Sequence, residues 1–151
     1  MKKGRLLAVN ISKAKGTQKK NVGRARVLKG FGIERDAHGG PGHRQVSLLA
    51  QESIQKMRDL GLDVSWGDFA ENLTTEGLDL ARLPVGARLR IGRSVVLEVT
   101  QIGKKCHARC AVYDRTGTCI MPTEGIFARV VSGGPVRVGH AVQVLDRKDR
   151  I

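Results

Sequence analysis

The sequence predicts a mainly β (α+β) fold, a single compact β-barrel carrying one or two short helices. Three observations lead there. Apolar and polar residues alternate over many short runs, which is the period of a half-buried strand. Nineteen glycines among 151 residues supply turns between those runs. Only one segment keeps an apolar stripe at helical spacing. Many short strands with regular turn signals favour closure into a barrel.

Taken in order, Arg5 to Ser12 reads as the first strand, with Leu6, Ala8 and Asn10 on one face and Leu7, Val9 and Ile11 on the other. A polar loop rich in lysine follows, from Lys13 to Lys20. Val22 to Leu28 is a second strand, its Arg24 and Arg26 sharing a face with Val22 and Leu28. The Gly/His-rich stretch from Gly30 to Gly42 is too long for an idle connection and reads as functional. Val46 to Leu49 is a short buried strand. Gln51 to Leu60 is the helix, with Ile54, Met57 and Leu60 on one stripe and Glu52 suited to the N-terminal dipole. Gly61 stops it, and Leu62 is placed for the apolar contact of a Schellman cap. Ala87 to Ile91 and Val95 to Ile102 form a hairpin about Gly92-Arg93-Ser94. Ile126 to Val131, Val136 to Val138 and Ala141 to Leu145 complete the strands.

The length suits one domain, assigned to residues 1–147 with a short tail at 148–151; a domain of this size buries roughly 70% of its unfolded surface. No apolar run approaches the roughly 20 residues a membrane-spanning helix needs, and the polar start lacks a signal-peptide core. A cytoplasmic protein without membrane contact is therefore expected. Three cysteines, an odd number, argue against a disulfide framework. The formal charge is +13, and it is unevenly placed: +10 over residues 1–44, −2 over 45–100 and +5 over 101–151. Such a pattern suits a phosphorylated ligand, a nucleic acid or a solvated surface. Nucleic acid is disfavoured, because there are only five aromatic side chains for stacking and no reading module.

Chemistry concentrates in two places. Cys106, Cys110 and Cys119 fall within 14 residues, with His107 beside the first. That spacing is not a common structural-zinc one, and Cys119, between Thr118 and Ile120, reads as a small buried hydrophobe. Cys106 is surrounded in sequence by Lys104, Lys105, His107 and Arg109, and nearby cations favour the thiolate that a nucleophile or soft-metal ligand requires. Cys110, next to Arg109, shares part of that setting. Both are candidate catalytic thiols, with Cys106 favoured as metal ligand on its denser cations. The candidate anion binders are Ser12-Lys13, the Lys15/Lys19/Lys20 loop, His43-Arg44 and Ser132-Gly133-Gly134. Lys19 and Lys20 are expected to be solvated, as loop lysines usually are. Asp36 and His38 lie in a glycine-flanked loop, where ionisable groups are hard to dismiss.

A family resemblance rests on several segments in order: Gly67-Asp68-Phe69-Ala70-Glu71-Asn72-Leu73-Thr74-Thr75-Glu76-Gly77-Leu78, Leu83-Pro84-Val85-Gly86-Ala87, Met121-Pro122-Thr123-Glu124-Gly125-Ile126-Phe127-Ala128-Arg129-Val130, and Gly133 to Gly139. Together they resemble a stand-alone MOSC domain, the module named for the C-terminal domain of molybdenum cofactor sulfurase. The resemblance implies a β-barrel with short helices and an essential cysteine that carries sulfur as a persulfide or ligates molybdenum in a pterin cofactor. Val99-Thr100-Gln101 places Cys106 on the family cysteine, whereas Arg109-Cys110 mimics an Arg-Cys pair of some molybdenum-dependent reductases. Ser12-Lys13 matches a basic element gripping the pterin phosphate. Asp36 and His38 match a Gly-Asp-x-His-like loop in which Arg35 replaces the glycine. Asn72 and Thr74 stand where relatives face the cofactor, and Arg44 and Arg129 are grouped with these residues as cofactor-binding.

Two main functions are thus expected: binding a molybdenum or tungsten pterin for storage, transfer or maturation, or carrying sulfur as a persulfide. A cofactor-dependent reductase module is a third. No pyridoxal-phosphate lyase domain fits in 151 residues, so pyridoxal phosphate is not expected. The expected partners are molybdenum cofactor biosynthesis enzymes or a cysteine desulfurase.

Overall fold

The computed structural model describes residues 3–15, 17–103 and 124–145. In chain order these form β1 (Lys3–Ile11), β2 (Lys20–Asn21), β3 (Arg24–Leu28), β4 (Gly32–Ile33), β5 (Val46–Ala50), α1 (Gln51–Asp59), β6 (Leu73–Glu76), a single 3-10 turn (Leu80–Arg82), β7 (Arg88–Ile91), β8 (Val95–Ile102), β9 (Ile126–Ser132), β10 (Gly134–Arg137) and β11 (Ala141–Leu145). Among the described residues, seven strands close into a barrel in the order β1-β6-β5-β9-β8-β7-β11 and back to β1, where Gly4 meets Val142. All neighbours in it are antiparallel except β5 and β6. That pair is parallel because α1 lies between them in the chain, as a crossover connection requires. A smaller antiparallel sheet, β10-β3-β4, accompanies the barrel, and β2 extends β1 at Asn10 and Ile11. The expected fold class is the observed one.

Alternation builds the interior. Leu6, Leu48, Leu73, Leu89, Leu97 and Ile126 are fully buried and belong to one aliphatic core. Strand β5 is buried on both faces: Val46, Leu48 and Ala50 enter that core, while Leu49 joins a second core with Ile54 and Met57 of α1, Val64, Phe69 and Phe127. The helix therefore closes the outside of the barrel over β5 and β9. It ends as the sequence predicts: Gly61, at φ +92°, donates to the Arg58 carbonyl at 2.9 Å, and Leu62 donates to the Met57 carbonyl at 3.2 Å. This is the paired hydrogen-bond pattern of a Schellman cap, with glycine at the left-handed position, and Leu62 packs on the second core.

Among the described residues no helix is long and apolar enough to cross a membrane. Three strands escaped the sequence reading. The pairs Lys20–Asn21 and Gly32–Ile33 are too short to show a period, and Leu73–Glu76 presents one apolar residue among Thr, Thr and Glu.

Candidate functional site

The lysine-rich loop before β2 and the glycine-rich loop are joined by a buried ion pair. Lys19 Nζ lies 2.7 Å from Asp36 Oδ1, and neither side chain is exposed to any degree. The Ser12 N–H donates to the same oxygen at 3.0 Å, Lys19 donates to Ser12 Oγ at 3.0 Å, and the Ala37 N–H donates to the Ser12 carbonyl at 2.9 Å. Asp36 Oδ2 accepts the His38 N–H at 3.1 Å. Burial alone would raise the Asp36 pKa, but hydrogen bonds from Lys19 and Asn72, the Lys19 charge and the Ser12 N–H outweigh it and hold the carboxyl below its ordinary value. The expectation that Lys19 is a solvated loop lysine is corrected here. Its ammonium is drawn inside because an ionised Asp36 is already there, and a buried charge requires a partner. Lys20, one residue on, is exposed.

The loop between these anchors is shaped by close contacts. The Asp36 N–H donates to the Ile33 carbonyl at 3.1 Å, closing a turn whose third residue is Arg35 at φ +72°. Type II turns favour glycine at that position, so arginine occupies the geometry that the family glycine would take without strain. Gly39 lies against the Phe31 ring with no room for a side chain. Beyond it opens a cleft of about 640 Å³ lined by Lys15, His38, Gly39, Gly40, Pro41, Gly42, His43 and Arg44.

One wall of that cleft is tied to the barrel. Gln101 Oε1 accepts from Arg44 Nε at 3.0 Å and lies 2.8 Å from His43 Nε2. Gln101 Nε2 donates to the Gly103 carbonyl at 2.7 Å, and the Gly103 N–H donates to the Gly125 carbonyl at 2.7 Å. The Arg44 guanidinium also sits 5.3 Å from the Phe127 ring centroid, a cation–π distance. Gln101, read in the sequence only as part of the Val99-Thr100-Gln101 motif, and Lys19, read as a solvated member of its loop, are the contributors whose roles sequence reasoning missed. A glutamine on a strand and a lysine in a lysine-rich loop carry no distinguishing signal.

Asn72 and Thr74 lie behind this surface and are fully buried. Asn72 Oδ1 accepts the Ser47 N–H at 2.9 Å, and Asn72 Nδ2 donates to the Asn10 carbonyl at 3.1 Å, so the side chain ties β1 to β5. Thr74 Oγ1 donates to Glu71 Oε2 at 2.7 Å, and the Gly67 N–H donates to that same oxygen at 2.8 Å. Glu71 is wholly enclosed, and burial outweighs those hydrogen bonds to push its pKa up to about 7. Glu71 Oε1 and Asn10 Oδ1 have no hydrogen-bond partner among the described residues.

The structure thus brings Ser12, Asp36 and His38 into one cluster with Lys19. Arg44 and Lys15 line the same cleft, and Lys13 is exposed on the loop after β1. Arg129 is engaged elsewhere: its Nη2 and Nε both lie 3.0 Å from Glu98 Oε1, and Arg88 holds the other oxygen at 3.1 Å. Burial raises Glu98, but the two arginines outweigh it and hold it below the ordinary carboxylate range. Among the described residues no three His, Cys, Asp or Glu side chains converge on a metal site. Cys106, Cys110 and Cys119 lie outside the described residues.

Comparisons with known proteins agree on the architecture. A family model described as MOSC domain matches residues 34–143. The YuaD protein from Bacillus subtilis is similar in structure at a TM-score of 0.78 and 17% identity, with 94% of this chain and 95% of that one covered. YiiM from Geobacillus stearothermophilus follows at 0.73 and 18%, covering 95% and 76%, and YiiM from Escherichia coli at 0.68 and 19%, covering 96% and 70%. No curated protein sequence matches.

Proposed function

This chain belongs to the MOSC domain family, and from that premise we propose that it binds a molybdenum or tungsten pterin cofactor for storage, transfer or maturation. The observation that carries the reading is the cleft between Lys15 and Arg44. Its volume of about 640 Å³ lies within the usual range for small-molecule sites. Its cations and glycine backbone offer donors to a phosphate, for which a forked guanidinium is well shaped. The donor chemistry fits the group.

The residues divide the work. Lys15 and Arg44 would hold the phosphate, with His38 and His43 beside it. Gln101 orients His43 and Arg44 through one carboxamide oxygen. The Lys19–Asp36 pair, locked to Ser12, fixes the loop on which His38 stands. Lys13, exposed beside Ser12, is a further contact for an incoming anion. Cys106 follows Gly103 by three positions in the sequence. Its thiolate would be the metal ligand, favoured by the adjacent lysines. When bound, the cofactor supplies a redox-active metal that accepts a thiolate sulfur. In this reading the chain works in the cytoplasm, where a free thiol stays reduced, and receives its cargo from a cofactor biosynthesis enzyme.

Native mass spectrometry with elemental analysis tests this on protein made in cells competent for pterin cofactor synthesis. The wild type should carry pterin with Mo or W. Cys106→Ser should lose the metal, and Lys15→Gln/Arg44→Gln should lose at least tenfold of the bound pterin. Retention by Cys106→Ser with loss in Cys110→Ser would move the ligand to Cys110. A reductant-removable gain of one sulfur with no metal would overturn the cofactor reading in favour of a persulfide carrier supplied by a cysteine desulfurase.

A further inference from the structure

The small sheet carries a second concentration of positive charge that shares no residue with the Lys15–Arg44 cleft. Arg24 and Arg26 alternate along β3 and so share its outward face, with Cα atoms roughly 6.5 Å apart. Across the ladder Arg137 stands directly opposite Arg24, and Pro135 stands opposite Arg26. Directly opposed residues of an antiparallel pair project to the same side, about 5 Å apart. All four are exposed. The inward positions of the same strands, Val27 and Val136, are buried, which pins the register and leaves the arginines no alternative face.

Two like charges directly opposed in a sheet are destabilising, and the ion pairs among the described residues do not relieve them. Among the described residues no carboxylate lies within ion-pair distance of Arg24, Arg26 or Arg137. The contact that orders Arg137 is with a neutral acceptor: its Nε donates to His140 Nε2 at 3.2 Å. Between these side chains is a hollow of about 470 Å³. Glu34 does not line it; with Arg35 it lines a separate hollow that Arg24 and Arg26 also border.

We infer that Arg24, Arg26 and Arg137 form a second anion site, ordered by His140, that takes a diphosphate-bearing small molecule. Three guanidinium forks spread over a patch about 5 Å by 6.5 Å suit an anion with more than one phosphoryl group, and their combined charge matches a diphosphate of charge about −3. Bound there, the anion would replace the repulsion between Arg24 and Arg137 by bidentate contacts to both. Among the described residues that line the hollow there is no Phe, Tyr or Trp for a base to stack on, which favours recognition of the phosphates themselves over a nucleic-acid strand. This inference does not depend on the cofactor reading.

The test is a titration of the full-length protein with inorganic pyrophosphate at low ionic strength, by calorimetry and by NMR of the His140 ring signals. Wild type and Lys15→Gln/Arg44→Gln should both bind, with the His140 signals moving. Arg24→Gln/Arg26→Gln, which leaves Arg137 beside His140, should weaken the binding that the His140 signals report by at least tenfold, whatever pyrophosphate the Lys15–Arg44 cleft still takes up. These are exposed side chains whose removal relieves repulsion, so the variant should keep the wild-type unfolding midpoint. Equal weakening in both double variants would mean diffuse attraction to a +13 protein and overturn the site. So would a His140 ring indifferent to pyrophosphate, or binding confined to a single-stranded oligonucleotide.

Discussion

Glu71 gives the sharpest quantitative test of the buried polar cluster. Its carboxyl is enclosed, with the Gly67 N–H and Thr74 hydroxyl on one oxygen and no partner among the described residues on the other. Burial raises its pKa from 4.5 to about 7, so the folded chain holds this proton more tightly than the unfolded chain. The sign follows: the contribution is fully favourable below pH 4.5 and is lost as pH rises through about 7. A shift of that size corresponds to about 3 kcal/mol at 1.36 kcal/mol per unit, a large share of the 5–15 kcal/mol that holds a typical domain together. Glu71→Gln keeps the shape, keeps an oxygen for Gly67 and Thr74, and places a neutral donor where Oε1 lacks a partner. Urea unfolding of wild type and variant between pH about 4.5 and about 8 isolates the term, because all other titrating groups cancel in the difference. The variant should gain on the wild type steadily across this interval, by about 3 kcal/mol, and the gain should level off above pH 7. A stability difference that does not change with pH would show that Glu71 ionises freely in the folded chain and would refute the argument.

Two further outcomes follow from the cleft and its supporting loop. Lys19→Met should cost about 3–5 kcal/mol in urea unfolding at neutral pH, because it leaves Asp36 buried and charged without its cation. Since the Asp36 pKa lies below 3.8 in the fold, the pair contributes above that value and its loss should matter progressively less as pH falls through the folded pKa; a neutral-pH cost below about 1 kcal/mol would contradict the ion-pair account. Arg35→Gly should raise the stability by about 1 kcal/mol, since a non-glycine residue at φ +72° is strained. That is roughly 2–4 °C in Tm, and a fall in Tm would mean that the arginine side chain compensates for its backbone.

How far the sequence reached depended on what kind of physics each element uses. Val95 to Ile102 and Ala141 to Leu145 were legible to the residue because one face of each enters the core and the other meets solvent, which writes period two into the chain. The helix end was legible because Gly61 is required there by its backbone angle. Leu73–Glu76 was not, because it lies in a polar cluster in which Thr74 accepts from Asn10 and donates to Glu71, and the adjoining Asn72 accepts from Ser47 and donates to Asn10, bonds that mostly join residues more than 20 positions apart. Polar networks leave no periodicity. The same holds for the site: the loop containing Asp36 and His38 announced itself by its glycines, whereas the partner of Asp36 was one of several lysines in a loop, and only the fold selects Lys19 from Lys13, Lys15 and Lys20.

That selection clarifies what the excess charge is for. Over residues 1–44 the sequence carries +10, and among the described residues only Arg5 with Glu76 and Lys19 with Asp36 pair internally. One of these is buried and holds the loop in place; it displays no charge at all. The remaining cations are on show, and they are not spread evenly: Lys15 and Arg44 face one cleft, Arg24 and Arg26 face another hollow across the small sheet. A surface charged merely for solubility would intersperse acids among them, as Glu98 does between Arg88 and Arg129 on the barrel wall. Where cations lack an ion-paired acid, as Arg24, Arg26 and Arg137 do among the described residues, repulsion among them is a standing cost that a bound anion can offset. Both sites should therefore weaken with rising salt, because Lys15 and Arg44 are exposed like Arg24, Arg26 and Arg137 and exposed charges are screened over about 10 Å at 0.1 M salt, but the cleft should weaken less, since its glycine backbone adds donors that salt does not screen.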